Sequence, residues 1–393
     1  MRVIFVHDHI FKRKHDVFYS PGGLPSSVWA RYLKVFDNLT VVGRDGGFLS
    51  DQEKGYTISS TDRVVFKLFP NVSNIKYLLL GNSDVKKSCK YLIEQHDCVI
   101  ARLPSRLGQL FVREAIRQGK PYAVEVVGCA WNALWNYGNW KGKVFAPFAT
   151  YILKNTVSKA PFTLYVTEHF LQERYPCKNG LTTFCSNVEV PEVLDLILEK
   201  RLKKIRESNI KFIFGLIGNY SSKYKGIDVA IRALAMADPK LPSWEFQVLG
   251  SGDSQVYSEL ANELGIANKV KFVGSLPSGQ PVYNWIDEVD LYLQPSLTEG
   301  LPRALIEVMS RGCPAVGSSV GGIPELLPLE KMVIAGYDKS LSEKLISLSS
   351  DKDQLVQMAS ENFVKAKSYY NTVLDERRTT FWLSFKNHCT TVI

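Results

Sequence analysis

The chain has 393 residues, of which 45% are hydrophobic and 22% are charged, and its formal net charge is +9. This composition excludes a wholly disordered chain, which would contain far fewer aliphatic and aromatic residues, and the length is that of two ordinary domains. The positive charge favours an anionic partner. It leaves nucleic acid, anionic lipid, a nucleotide diphosphate and a merely solvated basic surface open.

Short β-branched runs alternate with helical stretches along the whole chain. Several of these runs are continuously apolar, as expected of strands covered on both faces. Because amphipathic segments such as 226–237 and 257–269 lie between them, the order predicts parallel, doubly wound α/β sheets. The predicted strands are 2–7, 39–43, 64–69, 97–102, 121–128, 162–167, 211–218, 244–250, 269–274, 289–296 and 313–319.

The two halves of the chain divide near residues 187–210. A proline and then a charged stretch precede a fresh strand at Lys211. We predict one domain over 1–190, to which a helix over 375–393 returns, and a second domain over 191–374.

The sequence signals no metal site, disulfide framework or membrane span. The seven cysteines are odd in number and scattered, without a C-x-x-C pair. The apolar N-terminal stretch is broken at once by His7-Asp8-His9, which makes it too short for a signal peptide. No run of about 18 apolar residues occurs. We therefore expect a cytoplasmic protein.

The most informative stretch is 294–325. Pro302 stands where a helix tolerates proline best, in the first turn, and Gly312 ends the predicted helix over 302–311. Glu299 then precedes the helix, while Glu307 lies about 8 Å along its axis from Pro302. The two carboxylates are therefore spaced to grip different parts of an extended ligand.

The amides of Gly300 and Leu301 lie between the two carboxylates, at the helix N-terminus. Such amides bind anions, and a diphosphate is the anion that fits an extended ligand. A ligand with hydroxyls at both ends and a diphosphate between them is a nucleotide sugar. The stretch resembles the E-x7-E signature of retaining glycosyltransferases of family four, through Glu299, Glu307 and the frame Pro295-Ser296, Gly300, Pro302, Gly312-Cys313-Pro314 and Gly321-Gly322-x-x-Glu325.

The resemblance implies the GT-B fold, in which two Rossmann-like doubly wound domains face a cleft. The acceptor domain would be 1–190 and the donor domain 191–374. It implies retaining transfer of a hexosyl group from a UDP- or GDP-sugar to a glycan or lipid-linked acceptor, in surface polysaccharide assembly. No cofactor, metal or nucleic acid is expected, because lysines and helix amides take the place of a cation. Glu299 would bind the sugar hydroxyls, and Glu307 the ribose.

The loop from Gly218 to Gly226 joins a strand to a helix, the place where parallel sheets bind ligands. Its lysines can neutralise a diphosphate leaving group. The family usually has an arginine after the first glycine of this loop and a lysine before the second. Lys225 matches the lysine, Asn219 replaces the arginine, and Lys223 is expected to supply the missing charge.

Other donor contacts rest on resemblance. Gly250 and Gly252 match the family's turn next to the nucleotide, and Val273 stands where its backbone reads the base. Gly22 and Gly23, in the first half, match the glycine-rich loop that approaches the phosphates, since glycine lets backbone amides come close.

Glu125 is the acid nearest to a point where many family members have a histidine or aspartate beside the reacting sugar. This chain has Gly128-Cys129 there instead. Glu125 is thus a catalytic candidate or a buried structural carboxylate.

The stretch 141–160 combines aromatic and aliphatic residues with four lysines. It fits a segment lying on an anionic membrane, at the inner face of the plasma membrane, and equally an ordinary surface helix.

Three other functions of the chain stay open. The chain could be a sugar-nucleotide epimerase or hydrolase, or a non-catalytic carbohydrate- or lipid-binding relative. A nicotinamide dehydrogenase fits less well, since no G-x-G-x-x-G follows the first strand.

Overall fold

The structure is a computed structural model that describes residues 1–53, 55–70, 83–135, 140–207 and 211–392. The chain forms two compact units: Met1–Cys185 with Asp375–Ile393, and Ser186–Leu374. Within the described ranges, none of the helices combines the length and the hydropathy that crossing a bilayer requires.

The first unit is built on a mainly parallel sheet. Its central strand pairs in parallel with strands on both sides, and Val3, Ile4, Phe5 and Val6 on it are fully buried. The order is β4-β2-β1-β6-β7-β8-β9, with β3 on β1 and β5 on β3. The strands are β1 (Arg2–Lys14), β2 (Val17–Ser20), β3 (Asn38–Phe48), β4 (Thr57–Ile58), β5 (Val64–Phe69), β6 (Cys98–Leu103), β7 (Tyr122–Val126), β8 (Phe162–Tyr165) and β9 (Leu181–Phe184).

The helices of the first unit lie between its strands along the chain. They are α1 (Ser26–Leu33), α2 (Ser83–Glu94), α3 (Arg106–Arg117), α4 (Ala130–Trp135), α5 (Trp140–Ser158) and α6 (Phe170–Arg174). The unit also contains most of the last helix, whose Trp382 is fully buried with its ring centroid 5.7 Å from that of Tyr32.

The second unit has a parallel sheet in the order β12-β11-β10-β13-β14-β15. The order reverses between β10 and β13, and this switch point is where ligands bind at the carboxyl edge of such sheets. The strands are β10 (Phe212–Ile217), β11 (Trp244–Leu249), β12 (Val270–Gly274), β13 (Leu291–Gln294), β14 (Ala315–Ser318) and β15 (Met332–Val333). The helices are α7 (Asp195–Arg206), α8 (Ile227–Ala237), α9 (Gln255–Glu263), α10 (Gln280–Glu288), α11 (Arg303–Ser310), α12 (Asp338–Ser349) and α13 (Lys352–Ala366), followed by α14 (Asn371–Val392).

The predicted fold class, with two Rossmann-like α/β domains, is confirmed. The first strand is longer than predicted, because it continues to Lys14 and turns back into β2 as an antiparallel hairpin through His15, at φ +52°. The sequence prediction also missed β2, β4, β9 and β15. Each has only two to four residues, too few to display a periodic pattern.

Candidate functional site

The loops at the carboxyl edge of the second sheet are bonded to one another. The phenol of Tyr220, in the loop after β10, donates to the Val248 carbonyl in β11 at 3.0 Å and accepts from the Gly274 amide at the end of β12 at 3.1 Å. The Leu297 amide donates to the Tyr224 carbonyl at 2.8 Å, which ties the loop after β13 to the loop after β10. The edge therefore presents a connected set of loops at the switch point.

Glycines allow these loops to touch. Gly226 and Gly321 have φ values of +72° and +58°, a region that residues with a Cβ rarely adopt. A Cβ on Gly226 would overlap the carbonyl oxygen of Pro295, and one on Gly321 would overlap that of Glu299. A Cβ on Gly250 would overlap the carbonyl oxygen of Gly218. No larger residue fits at these three positions without moving the adjoining loop.

Lys225 and Glu299 form an ion pair at the centre of this edge. The Lys225 Nζ lies 2.7 Å from Glu299 Oε1, and the two side chains are 19% and 9% exposed. Lys225 is brought there by the short turn Lys223–Lys225, with its stem packed over Gly218. Because a half-buried pair loses much hydration, each charge depends on the other for its stability.

One oxygen of Glu299 is held by the protein and the other is unused. Oε1 also accepts hydrogen bonds from Ser296 Oγ at 2.9 Å and from Gln294 Nε2 at 3.1 Å. Gln294 in turn accepts from the buried phenol of Tyr292 at 3.0 Å. Within the residues that the structure describes, Oε2 makes no hydrogen bond. The network fixes the carboxylate and leaves an acceptor available.

Glu307 is a half-buried carboxylate without a hydrogen-bond partner in the described part of the chain. Burial, followed by the weaker effect of Glu189, raises its pKa from 4.5 to about 7, against the opposing charge of Arg303. An ordinary solvent-facing glutamate on an amphipathic helix would not be desolvated in this way. The carboxylate is therefore placed to accept hydrogen bonds from a ligand.

Glu307 lies on α11, the helix that begins after Pro302 and ends near Gly312 at φ +59°. Its bounds match the predicted helix closely. The amides of Gly300 and Leu301 precede it, and neither donates a hydrogen bond among the described residues. They provide unused donors beside Glu299.

Asn219 and Lys223 differ in what they contact. The Asn219 side chain donates to Ser251 Oγ at 3.0 Å and accepts from the Ser221 amide at 2.8 Å, so it shapes the loop. Lys223 is exposed in the same loop. Its expected role as a second phosphate ligand stays a prediction.

The predicted nucleotide turn lies beside that loop. Gly252 has φ +110° and packs against Ser221, while the Gly250 amide donates to the Gly274 carbonyl at 2.9 Å. Val273 is half-buried at the end of β12. The structure thus brings these three positions to the same edge as Lys225.

Three predicted residues belong to the first unit. Gly22, at φ +84°, follows β2, and a Cβ on Gly23 would lie 3.1 Å from the imidazole of His9. Their roles toward a donor stay predictions. Glu125 lies in β7, is 4% exposed and accepts a hydrogen bond from the Tyr32 phenol at 2.6 Å. This contact is of the buried structural kind that the sequence left open, and the catalytic role of Glu125 stays a prediction.

Sequence reasoning missed Gln294 and Tyr292 as parts of the site. A glutamine at the end of an apolar buried strand is a signal that could have been used, because a buried amide needs partners. In the part of the chain that is described, no group of three or more His, Cys, Asp or Glu residues is arranged as metal ligands.

Residues 199–364 match the family described as Glycosyl transferases group 1, and the chain belongs to that family of glycosyltransferases. Over 326 residues it is 32% identical to Protein CapJ of Staphylococcus aureus, covering 82% of this chain and 80% of that protein.

Two further comparisons agree with this family. The chain is 31% identical over 157 residues to the amylovoran biosynthesis glycosyltransferase AmsK of Erwinia amylovora, covering 37% of this chain and 38% of the relative. Its fold is similar to that of Anabaena Alr3699/HepE in complex with UDP, with a TM-score of 0.67, 18% identity and coverage of 98% and 100% of the two chains.

Proposed function

We propose that the second unit binds a nucleotide-diphosphate sugar and that the enzyme transfers its hexosyl group to a glycan or lipid-linked acceptor, with retention at the anomeric carbon. The observation that carries this proposal is the Lys225–Glu299 pair at the switch point. The same segment of the chain contains Glu307, a second carboxylate left without a partner among the described residues.

The diphosphate of the donor would meet Lys225 and the amides of Gly300 and Leu301. A lysine and oriented amides stabilise the negative charge that grows on a departing diphosphate. No cation is needed in this scheme.

The two carboxylates would bind the ends of the donor. Oε2 of Glu299 would accept hydrogen bonds from the sugar hydroxyls, while Glu307 would accept them from the ribose. An ionised carboxylate accepts hydrogen bonds and donates none, and hydroxyl groups are suitable donors to it.

The reaction exchanges one bond for another at the anomeric carbon. The bond from this carbon to the diphosphate oxygen breaks, and the acceptor hydroxyl oxygen attacks from the same face of the sugar. The acceptor's proton passes to the departing diphosphate. The products are a glycoside with the donor's anomeric configuration and a nucleoside diphosphate.

A uridine donor is our first choice of nucleotide, with guanosine second. The UDP complex of Alr3699/HepE supports it. Surface polysaccharide assembly is supported by the similarity to AmsK, an amylovoran biosynthesis glycosyltransferase.

The first test is a thermal-shift screen of UDP-, GDP- and ADP-sugars on the wild type, Glu307→Ala and Glu343→Ala. A ligand that binds only the folded state raises the melting temperature. We expect one nucleotide series to stabilise the wild type and Glu343→Ala, a change on another helix of the same unit, and to lose its effect on Glu307→Ala. If no series stabilises the wild type, with or without EDTA, the donor site is wrong.

A second test separates transfer from other uses of the donor. The anomeric coupling of the product, measured by NMR, should equal that of the donor, and an inverted coupling would refute retention. Donor consumption that does not depend on acceptor would instead show a hydrolase or an epimerase.

A further inference from the structure

The helix α5 (Trp140–Ser158) carries large apolar side chains on its solvent side. Trp140 is 71% exposed, Val144 64%, Phe148 61% and Tyr151 69%. Surface helices of globular proteins normally present charged and polar residues on this side. The exposed side of α5 therefore needs an explanation other than the core of the first unit.

A different face of α5 packs into the core of the first unit. Ala146, Leu153 and Val157 are buried, and they lie on the side of the helix opposite to Trp140 and Tyr151 by the 3.6-residue period. We call the exposed set Trp140, Val144, Phe148 and Tyr151 the aromatic face. It extends from Trp140 to Tyr151, which is about 16 Å along the axis, long enough to lie on a surface.

The charge around the aromatic face has a single sign. No aspartate or glutamate occurs in the sequence between Glu125 and Glu168, whereas this stretch contains Lys141, Lys143, Lys154 and Lys159. Tryptophan and tyrosine are the side chains that favour the boundary between hydrocarbon and water. Lysines beside them attract anionic headgroups.

A second copy of the chain fits this face less well. A two-fold symmetric contact sets each residue against the same patch of its partner. That arrangement would bring the lysines of the two copies together without an acidic residue from this stretch to pair with them. An anionic bilayer offers both the apolar layer and the opposite charge.

We propose that the aromatic face of α5 binds the surface of a bilayer containing anionic lipids. The aromatic rings enter the boundary region and the lysines contact the headgroups, so that α5 lies flat on the membrane. This contact does not rest on the donor site. Its consequence, that a lipid-linked acceptor reaches the enzyme at the membrane surface, does rest on the proposed function.

The test is sedimentation of the full chain with phosphatidylglycerol–phosphatidylcholine vesicles and with phosphatidylcholine vesicles. The variant carries three substitutions together, Trp140→Ser, Phe148→Ser and Tyr151→Ser. The matched control is Val256→Ser with Leu329→Ser and Val364→Ser, which removes side chains that are 68%, 78% and 65% exposed elsewhere. We expect the wild type and the control to bind anionic vesicles, and the variant to bind at least about tenfold more weakly.

Salt and charge reversal test the electrostatic part. Raising the salt from about 0.1 M to about 1 M shortens the Debye length from about 10 Å to about 3 Å, so binding should weaken severalfold. Lys141→Glu with Lys143→Glu should weaken it in the same direction.

Three results would overturn the proposal. They are a wild type that stays in the supernatant, a variant that binds as well as the control, or a wild-type dimer in light scattering that the variant abolishes. The nucleotide thermal shift should persist in the variant. A protein that binds vesicles but no nucleotide sugar would refute the proposed function and leave the membrane contact standing.

Discussion

Replacing Glu307 by glutamine should stabilise the unliganded protein at alkaline pH and weaken its response to the nucleotide sugar. Burial raises the pKa of Glu307 from 4.5 to about 7. Because the folded-state pKa is the higher one, protonation favours the folded state. The stability that Glu307 contributes is therefore fully present below about pH 4.5 and is lost as the pH rises through about 7. One pKa unit corresponds to about 1.4 kcal/mol, so the ionised carboxylate costs the fold about 3 kcal/mol above that pH.

The assay is urea unfolding of the wild type and Glu307→Gln at about pH 5 and about pH 8. Glutamine has the same shape and no charge. Its advantage in the free energy of unfolding should therefore grow by roughly 2 to 3 kcal/mol between the two pH values. The matched variant Glu343→Gln, on another helix, should show no such growth. An equal difference between wild type and Glu307→Gln at both pH values would refute the reasoning.

Two other substitutions test the contacts around Glu299. Lys225→Ala should lower turnover by about 100-fold to 1000-fold, since it removes a cation from the leaving group, while Lys211→Ala, which breaks a surface ion pair with Glu245, should leave turnover unchanged. Equal losses of turnover for Lys225→Ala and Lys211→Ala in steady-state assays would contradict the role assigned to Lys225. Gly321→Ala should abolish the nucleotide thermal shift, because its Cβ overlaps the Glu299 carbonyl. Gly265→Ala, at φ +73° in open space, should keep the shift despite similar backbone strain. A retained shift in Gly321→Ala would show that this loop contact is not needed for binding.

The helix at the candidate site could be predicted because its signals are local. Pro302 and Gly312 stand directly at its ends, and the structure places α11 at Arg303–Ser310. The order of strands and helices likewise follows from hydrophobic runs that lie within each element. These features do not require knowledge of which strands are neighbours.

The contacts of Glu299 could not be predicted, because they depend on such neighbours. Lys225 is 74 residues away in the sequence, and only the pairing of β10 with β13 brings its loop beside Glu299. Asn219 gives a related lesson. The resemblance presented Asn219 as the replacement of a charged arginine by a neutral residue. In the structure, its side-chain amide forms hydrogen bonds with Ser251 and Ser221 and holds the loop together.

A contact in the first unit was equally beyond prediction from the sequence. Glu125 and Tyr32 are 93 residues apart and meet in the interior of that unit. A buried carboxylate bonded to a phenol and an exposed catalytic carboxylate have the same local sequence pattern. The burial of Glu125 and its bond to Tyr32 follow only from the packed structure.

The candidate site contains several features that do not favour the stability of the unliganded protein. Among the described residues, Glu307 is desolvated without a partner, and one carboxylate oxygen of Glu299 accepts no hydrogen bond. A sequence selected for folding alone would replace such groups with apolar or paired ones. A ligand with hydroxyls at its ends would supply partners to both carboxylates, and a diphosphate would supply the charge that Lys225 and the Gly300 and Leu301 amides can stabilise. Because binding of such a ligand relieves these costs together, the thermal shift with a nucleotide sugar should exceed that with the free sugar or the free nucleotide.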